Sequence, residues 1–292
     1  MTLVQPKIFP NTFLSDVRTY RVDPGQGIQC EIVCALDQLA ATAADSGTAE
    51  LVVQHSDSQE DFRAAIAVPI YRRDHVVSVA VLATEGHPDT TGVFEIWSPT
   101  GSYEELSLSK GYYGNLARFQ NVSSFVRFEK GSGLPGQVWN GFRSVIHSEL
   151  SKHPGFLRAA GASAGNLHTA IGIPVAGQHY RSSVLLLSSQ ESPIATGFEV
   201  WRADPDGFTL ESADYDCDSY RIAVGSQIAS TDGLPGLAAQ CGGAVLCDET
   251  DLLSVGRDWA TAASSDVSRP SGGLALPFFE ADDLTSVTVL LF

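Results

Sequence analysis

Three stretches of the chain share one alternation of apolar and polar positions. AAIAVPIYRRDHVVSVAVLAT (64–84), TAIGIPVAGQHYRSSVLLLSS (169–189) and GLALPFFEADDLTSVTVLLF (273–292) each set two apolar runs on either side of a short polar turn. Apolar runs of this length, rich in β-branched residues and leucine, predict paired strands. The first run of each pair is expected to end at a proline, at Pro69, Pro174 and Pro277, 105 and then 103 residues apart. Proline has no N–H to give a ladder, so a strand end tolerates it where a strand centre does not.

A glycine-bearing segment precedes each pair: RVDPGQGI (21–28), RFEKGSGLPG (127–136) and ASTDGLPG (229–236). From Gly27, Gly133 or Gly233 to the next proline is 42, 41 or 44 residues. Two landmarks that hold nearly one separation three times imply a triplicated unit. A third landmark occurs twice, FEIW at 94–97 and FEVW at 198–201, followed by YEELSLSKGYY (103–113) and GFTLESADYD (207–216), which read as turn plus strand. One end unit is therefore expected to lack two strands. Along VFEIW the pleat puts Val93, Glu95 and Trp97 on one face and Phe94 and Ile96 on the other. A carboxylate beside an indole suits a covered concavity or a domain contact better than a dry core.

Helical periodicity is sparse. Residues 134–142 and 234–240 follow a Gly-Leu-Pro-Gly loop and allow about two turns each. Residues 30–44 form the longest candidate, with Ile32, Leu36 and Leu39 on one face, and 154–164 and 251–263 read as short helix or loop. The repeat is thus an α+β module of mostly antiparallel strands with short helices alongside.

Composition narrows the function. With 18 basic against 34 acidic side chains the formal net charge is -16. No basic surplus exists to release counterions from phosphates, so a nucleic-acid partner is not expected. The charge also argues against general adsorption to acidic lipid surfaces. No apolar run approaches the length of a membrane span, and MTLVQPKIFPNTF does not read as a signal peptide. Five irregularly spaced cysteines form no disulfide scaffold, which fits a reducing, cytoplasmic setting. Cys30 and Cys34 would share one helix face as a buried thiol pair if that stretch is helical.

Motifs for catalysis are missing from the sequence. GSGLPG fits neither a dinucleotide-binding fingerprint nor a phosphate loop, and no lysine follows it. His147 and Glu149 would share a face of a strand over 144–149, but the matching places in the third copy are Cys247 and Glu249. His168 corresponds to Arg63 and to about Gly272, so no common chemistry occupies that place. No catalytic residue, metal ligand set or cofactor is expected.

Taken together, FVRFEKGSGLPGQVWNGFRSVIHSEL, PGFLRA, HTAIGIPV and SVLLLSS resemble GAF domains, best over 119–201. Gly133 and Gly136 match the family's loop, Val145 to Leu150 a strand, Phe156 to Ala164 the pocket segment and Ala170 to Val175 the proline strand. The resemblance implies tandem GAF-like modules, here placed at 1–91 (truncated or permuted), 92–190 and 191–292, although a permuted module over 119–220 satisfies the same ladder. It also implies a non-enzymatic sensing or regulatory protein in signal transduction, with a pocket lined by Trp139, His147, Glu149, Phe156, Arg158 and His168. Its ligand would be a small anionic or heterocyclic molecule met by Arg158. The alternative is a scaffold that forms a homodimer or holds a signalling protein. A further alternative is a thiol-dependent reductase of the methionine-sulfoxide type, which would rest on Cys241 and Cys247.

Overall fold

The structure, a computed structural model, describes residues 12–54, 60–101, 104–248 and 270–292. Within them the chain builds three curled antiparallel sheets, each flanked by short helices, which is the tandem α+β, GAF-like architecture. The first unit runs β1 (Asp16–Asp23), β2 (Gly27–Ile28), α1 (Ala35–Ser46), β3 (Glu50–Val53), β4 (Ala64–Arg72) and β5 (His75–Thr84), with sheet order β2-β1-β5-β4-β3. The second runs β6 (Gly92–Thr100), β7 (Glu105–Tyr112), α2 (Ala117–Phe125), β8 (Arg127–Glu129), α3 (Gly133–Gly141), β9 (Val145–His147), α4 (Ala159–Ala164), β10 (Leu167–Ala176) and β11 (Tyr180–Ser189). Its order is β8-β7-β6-β11-β10-β9. The third repeats that order as β14-β13-β12-β17-β16-β15. Its elements are β12 (Gly197–Asp204), β13 (Gly207–Tyr215), β14 (Gln227–Ala229), α5 (Gly233–Cys241), β15 (Val245–Asp248), β16 (Gly272–Glu280) and β17 (Asp283–Leu291).

The three sheets share one register. Pro69 faces Val79, Pro174 faces Ser183 and Pro277 faces Val287. Across the next ladder those three residues face Tyr20, Trp97 and Trp201. The row shows that Val17-Arg18-Thr19-Tyr20 is the first copy of FEIW, with arginine in place of glutamate and tyrosine in place of tryptophan. Among the described residues the first sheet is consequently short of one strand, not two, and its β2 is only two residues long.

Three other expectations need correction. The prolines do not end their strands, which continue to Arg72, Ala176 and Glu280. Outer pairing stops two residues before each proline, at Ala67, Gly172 and Ala275, so the missing donor falls where that ladder has ended. Gly133 and Gly233 open α3 and α5 in left-handed conformation, but Gly27 opens β2 after the turn from β1, away from any helix start. Finally, α1 begins at Ala35, with Cys34 as its N-cap, so Cys30 and Cys34 share no helix face and Ile32 stands about half exposed, at 48%. Cys30 is exposed.

One face of every sheet turns toward a common core. Val17, Phe94 and Phe198 occupy matching positions in it, as do Ile66, Ile171 and Leu274, Val68, Ile173 and Leu276, and Leu82, Leu186 and Leu290. Each such side chain contributes about 1.5–3 kcal/mol by leaving water. Every sheet alone would expose that whole face. The opposite faces lie under their own helices, with Trp97, Leu134 and Val138 together in the middle unit and Trp201, Leu234 and Ala238 in the third.

The short outer strands close the arrangement. β3 lies against β7, β9 against β12 and β13, and β15 against β1. Each unit thus meets the next head to tail, and the third returns to the first, which generates a closed ring. Glu50 with Lys110, Arg143 with Glu211 at 3.6 Å, and the Ala244 N–H on Ser78 Oγ at 2.8 Å mark the three joints.

Candidate functional site

Beneath the helices of the middle unit lies a buried charge. Glu95 has no solvent-accessible surface, and its position opposite Leu185 turns it away from the shared core. Trp97, two residues along the same face, donates from Nε1 to Oε2 at 2.9 Å, and the Tyr113 hydroxyl donates to Oε1 at 2.9 Å. Arg158 comes from 63 residues away and donates from Nη2 to Oε2 at 2.8 Å and from Nη1 to Oε1. Its Nη1 also donates to Ser123 Oγ at 2.6 Å. Phe119 and Ser123 lie one turn apart on the buried face of α2, which is how that hydroxyl reaches the site. Around the Arg158 Cζ stand the rings of Phe119 at 4.7 Å, Trp97 at 5.2 Å, Phe156 at 5.3 Å and Phe128 at 5.9 Å. Burial, and then the Glu95 carboxylate, push the Tyr113 hydroxyl far above the usual phenol range.

The first unit holds the opposite polarity at the same register. Arg18 occupies the Glu95 position and Tyr20 the Trp97 position. Asp37, 4% exposed on α1, receives the Tyr20 hydroxyl at 2.8 Å and Arg18 Nη1 at 3.5 Å. Its other oxygen accepts the N–H groups of Val33 at 3.1 Å and Cys34 at 3.0 Å, which caps the helix. Burial alone would raise the Asp37 carboxyl, but hydrogen bonds from Cys34, Val33 and Tyr20 outweigh it and hold the group below the usual range. In the third unit Glu199 is again wholly buried, with Trp201 Nε1 at 2.8 Å and the Tyr215 hydroxyl at 2.7 Å.

A second polar cluster borders the aromatic wall. His147, on β9 and 2% exposed, stacks on His153 with ring centroids 3.8 Å apart. Its Nε2 meets Gln137 Oε1 of α3 at 3.0 Å, whereas its buried Nδ1 has no hydrogen-bond partner. Burial, and then His153, lower the His147 pKa to about 4, so the ring is neutral near pH 7. The Phe156 ring stands edge-on to His147 at 6.3 Å.

Of the six residues expected to line a pocket, the structure joins His147, Phe156 and Arg158 along one wall. Arg158, expected to meet a free anion, has its terminal nitrogens on Glu95 and Ser123. Trp139 stacks instead on Tyr180 at 5.7 Å. Glu149 does not share a strand face with His147, because β9 ends at His147. Glu149 takes a left-handed turn and pairs with Lys152 at 3.3 Å in solvent. His168 is half-buried on Thr169 Oγ1 at 3.1 Å, where Thr169 reaches Asp214 of the third unit. None of the six lines the clefts of about 510 Å³ beside Phe13 and His87 or beside Tyr71 and Arg181. Cys241 is exposed at the end of α5 and Cys247 is buried on β15. The described residues contain no group of three or more His, Cys, Asp or Glu able to hold a metal, and no helix among them is long and apolar enough to cross a membrane.

No family model and no curated protein matches this chain. Several solved structures are similar to parts of it. The A. aeolicus nlh2 GAF domain in an inactive state is 18% identical, with a TM-score of 0.28, over 34% of this chain and 58% of that one. Free methionine-R-sulfoxide reductase from Neisseria meningitidis, in complex with its substrate, is 19% identical with a TM-score of 0.26, over 35% and 53%. The GAF domain of an Acinetobacter phosphoenolpyruvate-protein phosphotransferase is 15% identical with a TM-score of 0.26, over 33% and 55%. The chain therefore spans little more than half the length of each of these three.

Sequence reasoning did not pair Glu95 with Arg158, and it missed Tyr113, Ser123 and Gln137 as contributors. The repeated Glu-x-Trp was the available signal, since it places a carboxylate and an indole donor side by side twice.

Proposed function

We propose that the chain is a non-enzymatic regulatory protein that works by binding, built from GAF-like modules over 1–91, 92–190 and 191–292. The observation that carries this reading is the commitment of the middle unit's buried charges to one another. Both Glu95 oxygens and both terminal nitrogens of Arg158 have protein partners. A group so engaged stabilises and positions; it does not serve as a free general base or nucleophile.

Small-molecule sensing is favoured at His147. Its Nδ1 is buried without a hydrogen-bond partner between α3, β9 and the segment that carries His153 and Phe156. A buried polar atom without a partner is costly, and a ligand donor there would relieve it. Trp139, Glu149 and His168 stand away from that position and take no part in this reading. The scaffold reading has its own observation. Phe125 is 78% exposed, and Val122 on the same helix and Leu157 beside Arg158 are also exposed. The Ser123–Arg158 hydrogen bond brings those two segments together. The shared core is already covered within the chain, so a homodimer or signalling partner would have to use such an outer surface.

Native mass spectrometry of the purified full chain separates these outcomes. A mass increment of a few hundred daltons that disappears in His147→Phe supports sensing at His147. A subunit multiple that Phe125→Ser abolishes supports the scaffold. A bare monomer with no retained molecule and no partner recovered from the source extract contradicts both.

A further inference from the structure

The slot under the helices keeps its place while its sign reverses. In the middle unit the sheet supplies a carboxylate and the segment before α4 inserts a guanidinium. In the first unit the sheet supplies a guanidinium at the matching register, and α1 inserts a carboxylate. The third sheet repeats the carboxylate with its indole and phenol donors, Trp201 and Tyr215. In the first and middle units the group on the sheet is thus matched in sign by the group inserted over it.

We infer that the Glu95 slot is a guanidinium receptor occupied by Arg158 as an internal ligand, and that the free ligand class it fits is a small alkylguanidinium. This goes beyond the binding reading above, since it names a different place and can fail while that reading stands. Three features carry it. The carboxylate meets both terminal nitrogens, a bidentate geometry that a planar guanidinium satisfies and an ammonium does not. Four aromatic rings within 5.9 Å of Cζ surround the cation, whose side chain is almost fully buried. Arg158 Nε is buried without a partner, so recognition runs through Nη1 and Nη2, the atoms that a free alkylguanidinium also presents.

The test uses the full chain with Arg158→Ala, which empties the slot and leaves Glu95 unpaired. Ethylguanidinium at millimolar concentration is expected to raise its Tm saturably, and ethylurea, a neutral molecule of similar shape, is expected not to. Wild type, whose slot is filled, and Glu95→Gln/Arg158→Met, which lacks the charge, should give no such rise. If Arg158→Ala does not fold alone, ethylguanidinium-dependent refolding from urea, followed by tryptophan fluorescence, is the equivalent readout. Absence of both rise and refolding overturns the inference. An equal response to ethylurea, or in the double variant, overturns it too.

Discussion

The first and middle units answer one structural demand with opposite charges. Each places an ionisable side chain on the helical face of its sheet, two residues before a large aromatic, and each meets an opposite charge from a distant segment, although Arg18 also pairs with Asp16 of its own strand at 2.7 Å. They differ in depth. Arg158 and Glu95 are almost fully buried and meet through two hydrogen bonds, whereas Arg18 keeps a fifth of its side chain in solvent and reaches Asp37 at 3.5 Å. The comparison teaches that the repeat keeps a register, while the residues that fill it are free to invert.

The deeper pair should be the costlier one to break. Arg158→Ala leaves a carboxylate uncompensated in a dry site, and a loss of about 3–5 kcal/mol is expected by urea denaturation. Glu95→Gln/Arg158→Met, which removes both charges and keeps the volume, should cost much less. Equal losses in the two variants would show that packing, not charge, holds the middle unit.

His147 supplies the next largest effect, and one that the first unit does not share. Its folded pKa of about 4 lies below the unfolded value near 6.5, so the unfolded chain binds more protons between those limits. The stability due to this group is full above about pH 6.5 and is lost as pH falls toward 4, by about 3 kcal/mol. His147→Gln should flatten that part of a stability–pH profile.

In the first unit, Asp37→Asn should cost about 2 kcal/mol, because it weakens both the cap and the contact with Arg18. The Asp37 carboxyl is held low, so its contribution is present above the unfolded pKa near 3.9 and is lost as pH falls below it. The first unit should therefore weaken only at pH values below those at which His147 weakens the middle one. The smallest effect is that of Tyr20→Phe, at about 1 kcal/mol for one hydrogen bond to Asp37. A loss as large as that of Arg158→Ala would erase the difference between the two slots.

The α+β class and the threefold repetition were legible, because the paired apolar strands and their prolines are local patterns. The first FEIW copy was not, since Val17-Arg18-Thr19-Tyr20 shares no residue with it. Its distance to the following proline is also shortened, because the described residues of the first unit include no counterpart of α2 and β8. The start of α1 was misread because Ile32 fits the apolar period. The Asp37 carboxylate caps the helix through Val33 and Cys34 and so keeps Ile32 outside it. The Glu95–Arg158 pair spans 63 residues, and no local pattern announces a contact at that range. The spacing of His147 and Glu149 fits a continuous strand, but β9 ends at His147 and a left-handed backbone at Glu149 breaks that alternation.

The central claim is that three sheets in one register close around a single core. Hydrogen exchange on full-chain Leu82→Ala tests it most directly, because Leu82 lies in the first sheet and shares that core with Leu186 and Leu290. The account predicts that protection falls together in β5, β11 and β17. Loss confined to β5 and its immediate neighbours, with β11 and β17 unchanged, would contradict it.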